Sequence, residues 1–230
     1  MESREHESTT PGTIPPPAVR RLSLYLRQLE DFHRHDLQTI SSKQLGQSLS
    51  LTDAQVRKDL AYFGQFGHPG VGYRVDQLIA CLRKILGTDK ISNVVLIGAG
   101  NLGRALLSYN GFAAKGFRIV AVCDDDATKV GTLIPHRDAN DQPGNLPVRS
   151  SEELASIIES DQIRIAMLAV PANAAQKVAD KLVALGVRAI LNFAPTTLIL
   201  PGSVAVTSVD LAVHLEQLSF QLNLAATPST

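Results

Sequence analysis

The feature that most constrains the fold is a glycine-rich turn in the middle of the chain. Five residues of strand-forming character, Asn93–Ile97, run directly into Gly98, Gly100 and Gly103, which follow in G-x-G-x-x-G order. A helix is predicted from Leu102 to Tyr109. In this context of strand, turn and helix, such a turn binds the pyrophosphate of a dinucleotide, because the helix directs free N–H groups and its positive dipole end at the anion.

Each glycine of the turn is predicted to have a separate task. Gly98 permits the tight turn, Gly100 allows the backbone to approach a pyrophosphate that any Cβ would block, and Gly103 allows the helix to pack closely on its strand. The stretch predicted to surround the cofactor is completed by Ala99, Asn101 and Leu102.

An acidic residue follows where a dinucleotide-binding fold needs one. The predicted strand Phe117–Cys123 ends at Asp124, about twenty residues past the last glycine, where a carboxylate accepts hydrogen bonds from ribose hydroxyls. Since this carboxylate would repel a 2′-phosphate, NAD(H) is favoured over NADP(H), with Lys129 as a further cofactor residue. Two alternatives stay open: NADP(H), because Lys129 and Arg104 lie nearby, and a turn that binds no nucleotide.

The chain after Asp124 alternates helices and strands. A surface loop with little periodicity is predicted over Ala127–Pro147. The elements predicted beyond it are helices at Glu152–Ser160 and Ala174–Leu185 and strands at Ile163–Val170, Ala189–Phe193 and Ser203–Thr207. This order indicates an α/β fold with a doubly wound parallel sheet, which binds ligands at the carboxyl ends of its strands.

Those carboxyl ends also hold Val170, Pro171 and the segment 192–195, Asn-Phe-Ala-Pro. The segment is mostly apolar. A nicotinamide ring that meets Phe193 should therefore bind better as neutral NADH than as cationic NAD⁺, whose charge would lose its hydration without compensation. The alternative is that Phe193 only packs under the edge of the sheet.

Composition limits the other classes of function. The 230 residues carry no net charge and are 44% hydrophobic, which suits a globular chain of two small domains. No apolar run approaches a membrane span and the N-terminus has no hydrophobic signal core, so a cytoplasmic location is expected. Cys81 and Cys123 lack disulfide or zinc-site spacing and are expected in the core, and no metal site is predicted.

No catalytic constellation is predicted. His136 lies in the predicted loop and His214 in the last helix, and neither belongs to an obvious acid–base pair. An enzyme of this type would also need a substrate domain. A small NAD-dependent oxidoreductase or a CoA-binding module with a helical accessory domain is kept as a competing hypothesis, beside a plain nucleotide-binding interaction protein.

The last predicted helix, Val209–Leu224, carries more apolar surface than a terminal helix on a complete sheet needs. One stripe beside Phe220 consists of Leu211, Leu215, Leu218 and Leu222. A dimer contact or a helix exchanged between subunits would bury it, and ordinary packing on its own sheet is the alternative.

The chain before the glycine turn is modestly basic. Lys and Arg outnumber Asp and Glu by ten to seven between Ala18 and Asp89, against one to three in residues 1–17 and eleven to twelve from Lys90 onward. Residues 1–17 are rich in Ser, Thr, Glu and Pro and predict a flexible tail. A helix follows around Pro17, with one apolar stripe formed by Val19, Leu22, Leu26 and Leu29.

Two short helices are predicted next. Residues 41–44 and 52–55 both have the capping-box form, a hydroxyl residue followed three positions later by Gln. In the second helix Val56, Leu60 and Phe63 share one face, which leaves Arg57 and Lys58 exposed. This pair suits helix-turn-helix docking in a DNA major groove. The alternative treats both cations as solvated charges on an ordinary surface helix.

A winged helix is predicted from the stretch that follows. Four glycines in the nine positions 64–72 precede a short strand at 73–75, which indicates a hairpin turn after a recognition helix. His68, Tyr73 and Arg74 are placed to reach backbone phosphates or a neighbouring minor groove. A further helix, Val75–Leu86, closes the domain, and Gly87 ends it.

Seven motifs stand in order between Ile14 and Leu224. They are RLSLYLR at 21–27, SSKQLG at 41–46, QVRKDLAYFG at 55–64, GVGY at 70–73, GAGNLGRAL at 98–106, LNFAP at 191–195 and VDL at 209–211. In this order they resemble the Rex family of bacterial redox-sensing transcriptional repressors.

The resemblance implies a homodimer built from a winged helix over 18–89, a Rossmann domain over 90–208 and an exchanged C-terminal helix within 209–230. Such proteins bind operator palindromes when NAD⁺ dominates and release DNA when NADH binds. The expected cofactors are therefore NADH and NAD⁺, the expected partners are double-stranded operator DNA and a second subunit, and no enzymatic activity is expected.

The resemblance also assigns roles to residues. Arg57 and Lys58 become major-groove readers and Tyr73 a wing contact. Arg27, Tyr109 and Asp210 match positions proposed to form a polar linkage between helix one, the nicotinamide region and the partner subunit. Tyr109 is also counted among the cofactor contacts and Phe220 among the dimer contacts. The DNA-binding residues predicted in all are Ser41, Ser42, Gln55, Arg57, Lys58, Tyr73 and Arg74.

This chain departs from the family pattern in two places. Where the family often has a basic residue before GVGY, this chain has His68 and Pro69, so fewer wing contacts to phosphate are expected. The loop Val130–Pro147 is also long for the family.

Overall fold

The computed structural model describes residues 15–64, 66–67, 71–137 and 142–226. Internal contacts divide the chain into two units, the N-terminal unit, which ends at Lys90, and the C-terminal unit, which begins at Ile91. Most of the predicted tail lies outside the described residues, as do His68 and Pro69 of the predicted wing.

The described residues of the N-terminal unit form four helices and two short strands. The helices are α1 (Pro16–Arg34), α2 (Ser42–Gln47), α3 (Asp53–Ala61) and α4 (Val75–Leu86), and the strands are β1 (Thr39–Ile40) and β2 (Tyr73–Arg74). Helix α1 begins within the predicted tail, because prolines suit the first helical turn, where N–H groups have no partner within the helix. The predicted end of α4 before Gly87 is confirmed.

The two predicted capping boxes have different outcomes. At α2 the Ser41 hydroxyl accepts from the backbone N–H of Gln44, and the Gln44 side chain accepts from the Ser41 N–H, so this box is confirmed. At α3 the Thr52 hydroxyl accepts from the Gln55 N–H at 3.1 Å. The Gln55 side chain, however, turns inward and donates to Asp59 at 2.8 Å, so the reciprocal half of the second box was wrong.

The core of the N-terminal unit joins the inward faces of all four helices. On α1 the buried positions are Ala18, Leu22, Tyr25, Leu26 and Leu29. Val19 is 41% exposed, so its place in the predicted stripe was wrong. The stripe is centred about one residue away from the predicted one, and Ala18 and Tyr25 fall on the inward face instead.

Strand β2 pairs differently from the predicted hairpin. It runs antiparallel to β1, with Thr39 opposite Arg74 and Ile40 opposite Tyr73. The partner strand therefore precedes α2, and the two strands enclose the α2–α3 pair in sequence. A strand at 73–74 was predicted correctly, but its partner was not, because strand pairing depends on residues distant in the chain.

The C-terminal unit is built on one seven-stranded sheet. Its strands are β3 (Ser92–Ile97), β4 (Phe117–Asp124), β5 (Leu133–Arg137), β6 (Pro143–Ser150), β7 (Ile165–Leu168), β8 (Ala189–Asn192) and β9 (Ala205–Ser208). Its α-helices are α5 (Asn101–Leu107), α6 (Leu154–Ser160), α7 (Ala172–Ala184) and α8 (Leu211–Ala226), with short 3₁₀ turns at Ala113–Lys115 and Ser151–Glu153.

The strand order is β5-β6-β4-β3-β7-β8-β9. All neighbouring strands are parallel except β5, which runs antiparallel to β6 at the edge. The predicted doubly wound parallel sheet is thereby confirmed. The chain reverses its direction of travel across the sheet between β3 and β7, and such a switch point opens a ligand crevice at the carboxyl ends of the strands. Apolar clusters cover both faces of the sheet.

The predicted surface loop over 127–147 was wrong in part. Its described residues contain β5 and the start of β6, which pair from Leu133–Pro147 to Arg137–Pro143. Prolines and glycines obscured these strands, yet proline is tolerated in an edge strand, where an N–H is not needed for pairing. Each strand buries only one large apolar residue, Ile134 and Val148, so alternation was weak.

The remaining expectations concern cysteines and membrane spans. Cys123 is buried in β4, and burial raises the pKa of its thiol to about 12, so its place in the core is confirmed. Cys81 is half-buried in α4. Among the helices of the described ranges, none combines the length and apolar character needed to cross a membrane.

Candidate nucleotide cleft and nucleic-acid interface

The glycine turn joins β3 to α5 with backbone in close contact on two sides. Gly98 has φ +103°, and a Cβ there would overlap the carbonyl oxygen of Ala169, beyond the end of β7. A Cβ on Gly103 would overlap the carbonyl oxygen of Gly98. Any side chain at either position would therefore force the turn away from β3 or β7.

Gly100 lies in a different environment. A Cβ built at this position meets no atom within 4 Å, so the backbone of the turn borders open space. That space belongs to a cleft of about 830 Å³ at the carboxyl ends of β3, β4 and β7, a size within the usual range for small-molecule sites. The predicted cofactor residues that line it are Gly98, Gly100, Asn101, Leu102, Asp124, Lys129, Val170 and Pro171.

Four predicted cofactor residues do not line this cleft. Ala99 and Gly103 are buried in the turn and the helix beneath it. Phe193 follows β8 and donates its backbone N–H to the carbonyl of Leu168 at 2.9 Å, which places it beside the end of β7. Tyr109 is 60% exposed and lines a separate cavity of about 300 Å³ with Phe112 and His136, so its role as a cofactor contact stays a prediction.

Asp124 is tied to the glycine turn. One carboxylate oxygen accepts the backbone N–H of Ala99 at 2.8 Å and the Lys129 ammonium at 3.1 Å, and the other accepts the Asp126 N–H at 2.9 Å. Burial acts to raise the pKa of Asp124, but these hydrogen bonds outweigh it and hold the pKa below its ordinary value. The group is therefore an anion with its side chain 12% exposed to the cleft.

Two cations lie near this carboxylate. Lys129 pairs with Asp124 and also approaches Asp126 at 3.4 Å, and the bond to Asp124 is the main cause of its raised pKa. The Arg104 Nε donates to the carbonyl of Ala99 at 3.2 Å and so folds back onto the turn. Both cations are held by the turn or its aspartate in this arrangement.

Sequence reasoning missed a second wall of the cleft. Ser151 and Leu154 line it from the connection after β6, and Asn173, Lys177 and Lys181 line it from α7. Lys181 donates to the carbonyl of Ser151 at 2.7 Å, which joins the two segments. The i, i+4 spacing of the two lysines places them on one helix face, a signal that was available in the sequence.

Sequence reasoning placed Asn192 at the carboxyl ends of the strands but gave it no role, and the structure buries it fully at the end of β8. Its amide nitrogen donates to the carbonyls of Ala194 at 3.2 Å and Thr196 at 2.9 Å, and its oxygen accepts the Ala194 N–H at 3.0 Å. Its backbone carbonyl accepts the Val209 N–H at 2.8 Å. Asn192 thus holds both the Phe193 segment and the approach to α8 in place.

In the N-terminal unit a surface depression of about 690 Å³ lies between α2, α3 and β2. Four of the predicted DNA-binding residues line it, namely Ser41, Ser42, Arg57 and Tyr73, whereas Gln55, Lys58 and Arg74 do not. Arg57 donates from Nη1 to Asp53 at 2.7 Å and to the Ser42 hydroxyl at 3.1 Å, and its side chain is 56% exposed. Arg57 is the main cause of the lowered pKa of Asp53. Because an exposed ion pair is weak, Arg57 is free to exchange Asp53 for an external anion.

The other predicted DNA-binding residues differ in accessibility. Lys58 is exposed, and Arg74 is 56% exposed and paired with Asp76 at 3.0 Å. The Ser41 hydroxyl is engaged in the α2 cap, and the Gln55 amide is engaged with Asp59. Tyr73 is only 8% exposed and belongs to the core, which leaves little of its ring for a wing contact.

The predicted switch and dimer residues lie in both units. Arg27 is exposed on α1. The Asp210 carboxylate accepts the backbone N–H groups of Ala212 at 2.9 Å and Val213 at 3.3 Å, so it caps the start of α8. Phe220 is 63% exposed on α8. The large apolar side chains exposed on the same helix are Leu211, Val213, Leu215, Leu218 and Leu222.

Family models match both units of the chain. A model described as CoA binding domain matches residues 89–196, and one described as putative DNA-binding protein N-terminus matches residues 13–61. The first range contains the glycine turn and Asp124, and the second contains α1, α2 and α3.

Similar proteins extend over nearly the whole chain. The redox-sensing transcriptional repressor Rex of Carboxydothermus hydrogenoformans is 47% identical over 209 residues, which covers 91% of this chain and 96% of that protein. The redox-sensing transcriptional repressor Rex of Streptomyces coelicolor is 41% identical over 218 residues, which covers 94% of this chain and 81% of that protein.

Solved structures give the same result. RSP, a Rex-family repressor, matches in its complex with β-NAD⁺ and operator DNA with a TM-score of 0.84 at 36% identity, covering 93% of this chain and 94% of that one. Its complex with β-NADH matches with a TM-score of 0.79 at 36% identity, covering 93% of this chain and 96% of that one.

Proposed function

The chain belongs to the Rex family of redox-sensing transcriptional repressors, and we propose that it binds operator DNA in the apo or NAD⁺ state and releases it when NADH binds. The observation that carries this proposal is the combination, in one chain, of a glycine-turn cleft containing an anionic Asp124 with a helix pair that exposes Arg57 and Lys58. The relatives are transcriptional repressors, and this chain is proposed to act without catalysing a reaction.

The residues of the cleft fit a dinucleotide. The open space beside Gly100 admits a pyrophosphate against the backbone, and Asp124 is an anionic acceptor suited to ribose hydroxyls. A 2′-phosphate would face that carboxylate, which favours NADH and NAD⁺ over their phosphorylated counterparts. Val170, Pro171 and Phe193 are proposed to border the nicotinamide ring, which is neutral in NADH and cationic in NAD⁺.

In the N-terminal unit, α3 is proposed as the helix that enters the major groove. Arg57 and Lys58 would read bases, while Ser42 and Arg74 would reach backbone phosphates. Operator binding requires Arg57 to leave Asp53, and Arg74 to leave Asp76, and both exposed pairs are weak enough to permit this. Since the cofactor and its DNA target are both in the cytoplasm, that is the proposed place of action.

A second copy of the chain is proposed to cover α8. A helix with six large apolar side chains exposed to water is unfavourable in a monomer, and a twofold contact or an exchange of α8 would bury them. Sedimentation of the wild-type protein should give a dimer, and Leu218→Asp should shift it toward monomer. A wild-type monomer at micromolar concentration would contradict this assembly.

The polar linkage of Arg27, Tyr109 and Asp210 is proposed to connect NADH binding to DNA release in this dimer. Asp210→Ala and Tyr109→Phe should both retain operator binding but lose its reversal by NADH. Because Asp210 also caps α8, Asp210→Asn is the matched control, since asparagine caps a helix well without the charge. If Asp210→Asn and Tyr109→Phe both released DNA normally when NADH binds, the proposed linkage would be contradicted.

The release of DNA by NADH sets an energetic requirement on the two states of the dimer. NADH releases DNA only if it binds the DNA-incompetent dimer more tightly than the competent one, and switching from nearly all bound to nearly all released needs about 5.5 kcal/mol of differential affinity. Two cofactors per dimer would share this difference.

The test is fluorescence anisotropy of a labelled palindromic operator titrated with protein at fixed moderate salt, without cofactor and then with NAD⁺ or NADH. Tight binding that NADH reverses and NAD⁺ does not would support the proposal. Equal affinity for the operator and a scrambled duplex would reject it.

A second candidate ligand for the cleft is coenzyme A, because the matched family model is described as a CoA binding domain and two lysines of α7 line the cleft. Coenzyme A should fail to displace NADH from the wild-type protein if the redox-sensing proposal is correct. Displacement at micromolar concentration, or turnover of NADH with hydroxy acids or aldehydes, would favour the CoA-binding module or the enzyme instead.

A further inference from the structure

A buried aspartate lies on the inward side of α3. Asp59 is 1% exposed, and its two carboxylate oxygens accept four hydrogen bonds from side chains. Arg21 donates from Nε at 2.5 Å and from Nη2 at 2.7 Å, the Tyr25 hydroxyl donates at 2.7 Å, and the Gln55 amide donates at 2.8 Å. Each oxygen accepts two of these bonds, which uses the capacity of the carboxylate. These four residues are called the Asp59 cluster below.

Stability alone does not explain a charge at this position. Removing two ions from water requires so much free energy that a buried ion pair is often no more stabilising than apolar residues of the same volume. Apolar packing, however, has no preferred direction, whereas charge-assisted hydrogen bonds require a narrow geometry. A bidentate pair between Arg21 and Asp59 therefore specifies how two helices meet.

Helix α3 needs directional contacts of this kind to fix how it meets α1. It has nine residues, and Val56 and Leu60 are its only fully buried apolar side chains. Two buried apolar side chains constrain the rotation of a short helix about its axis less narrowly than charge-assisted hydrogen bonds do. The Asp59 cluster supplies the directional contacts that oppose this movement.

The residues that would move are those proposed to read DNA. Arg57 and Lys58 immediately precede Asp59 on α3, and successive residues of a helix are turned by about 100° about its axis. Fixing Asp59 on the inward side therefore fixes the directions in which both cations leave the helix. The bond of Arg57 to Asp53 lies within α3 itself, and its bond to the Ser42 hydroxyl joins exposed side chains of α3 and α2, so neither fixes α3 against α1.

The donors that bond Asp59 from outside α3 both lie on α1. Arg21 and Tyr25 lie one turn apart on α1, a helix of 19 residues, and Tyr25 is fully buried. Burial raises the pKa of Tyr25, and its bond to Asp59 raises it further, so the hydroxyl stays protonated. Burial would raise the pKa of Asp59, but the bonds from Arg21, Tyr25 and Gln55 hold it below its ordinary value. The cluster therefore keeps its charges at physiological pH.

We propose that the Asp59 cluster sets the rotation of α3 against α1 and so makes operator recognition by Arg57 and Lys58 selective. Asp59, Arg21 and Tyr25 are positioning residues in this scheme, which rests on the proposed DNA-binding function. Loosening the cluster leaves the basic charge of α3 intact. It should therefore weaken sequence-specific binding, which depends on side-chain direction, and spare non-specific binding, which depends on charge.

The experiment compares two variants of the full chain with a control. Asp59→Asn removes the charge and Tyr25→Phe removes one hydrogen bond. Arg83→Gln breaks the pair between Arg83 on α4 and Glu30 on α1, which joins α1 to a helix other than α3. Anisotropy gives the affinity of each for a palindromic operator and a scrambled duplex at one salt concentration, and thermal unfolding confirms that each is folded at the assay temperature.

Asp59→Asn should weaken operator binding about tenfold, equivalent to about 1.4 kcal/mol, with scrambled-duplex affinity changed less than about twofold. Tyr25→Phe should give the same pattern at about threefold. Arg83→Gln should leave the ratio of the two affinities at the wild-type value.

The proposal is overturned if folded Tyr25→Phe and Asp59→Asn proteins keep the wild-type ratio, or if Arg83→Gln lowers it equally. If Asp59→Asn does not fold, Tyr25→Phe decides alone. A wild-type protein that does not distinguish the operator from the scrambled duplex would reject the proposed function itself, and this result is seen before any variant is compared.

Discussion

Each unit of the protein holds a largely buried aspartate whose pKa is kept low by hydrogen bonds that outweigh burial, and Asp59 and Asp124 differ in what surrounds them. Asp59 is 1% exposed, and its four bonds come from three side chains on α1 and α3. Asp124 has a side chain that is 12% exposed to a cleft, and it is bonded by two backbone N–H groups and by Lys129.

These different surroundings indicate different roles. The Asp59 carboxylate is suited to fix the structure of its unit, and the Asp124 carboxylate is suited to bind a ligand. Around Asp59 every bond is made by another buried or half-buried group of the same unit, so no bond is free for exchange. Around Asp124 the backbone bonds hold the carboxylate in place, while the Lys129 side chain is partly exposed, which suits the proposed exchange of its ammonium for a ribose hydroxyl. A low pKa by itself does not distinguish these two uses.

The largest effect should come from Asp59→Ala, which leaves Arg21 and Tyr25 without their acceptor. Because Arg21 is 24% exposed and partly hydrated, we expect the free energy of unfolding to fall by about 3 kcal/mol, the lower end of the range for breaking a buried pair. Urea unfolding measures this, with Asp31→Ala as the control, since Asp31 forms a weak surface ion pair with Arg34 on the same helix. If Asp59→Ala lost no more unfolding free energy than the control, the structural role of Asp59 would be contradicted.

Asp124→Ala should act on ligand binding more than on stability. NADH affinity should fall about 10- to 30-fold through loss of a charged acceptor, while the free energy of unfolding falls by only about 1 kcal/mol as the Ala99 N–H loses its partner. Isothermal titration calorimetry and urea unfolding measure the two quantities. Glu159→Ala, which removes an exposed carboxylate on α6 that does not line the cleft, should leave both nearly unchanged, and equal losses in the two variants would contradict the role of Asp124.

Acid should reduce the stability contributed by Asp59. Its pKa is lower in the folded than in the unfolded protein, so the contribution is complete above the unfolded value of about 4 and is lost as the pH falls through the folded value. The difference in unfolding free energy between the wild type and Asp59→Asn should therefore be constant from pH 7 to pH 5 and narrow below pH 4. If the difference in unfolding free energy widened on acidification, the pKa of Asp59 would have to be higher in the folded than in the unfolded protein, which would contradict this prediction.

The smallest effect should come from Lys129→Ala. Since Lys129 is partly exposed and its ammonium is paired with Asp124, its removal should change NADH affinity by no more than about threefold. NADPH should remain the weaker ligand in both proteins, because the 2′-phosphate still meets Asp124. Calorimetry with both nucleotides tests this, and NADPH binding that depends on Lys129 would support the NADP(H) alternative.

Local patterns predicted the nucleotide cleft well. The order of β3, glycine turn and α5, and the acid at the end of β4, each follow from a few adjacent residues, and eight predicted residues line the cleft. Tyr109 and Phe193 do not line this cleft, so their cofactor roles stay predictions, and the α7 lysines, which line it from a distant segment, were not predicted. Periodicity locates a residue on a face of its element, but it does not show which cavity that face borders.

The DNA-binding unit shows the same limit. Spacing correctly directed Arg57 and Lys58 outward and Val56 and Leu60 inward. Asp59 lies on that same inward face, and a charged residue among apolar positions was a signal that its partner should be sought. The partner was not predictable from spacing, because Arg21 is 38 positions away.

The sequence by itself determined the local elements of this protein: the glycine turn, the α2 cap, the end of α4 and the alternation of strands and helices after Asp124. These depend on backbone conformation and on hydrophobic period within a few residues. Only the tertiary structure decided that Arg21 and Tyr25 bond buried Asp59, why β2 pairs with β1, and that strands lie at 133–137 and 143–150. The physical reason is that a buried polar group or a strand edge must find a partner in space, and that partner lies far away along the chain.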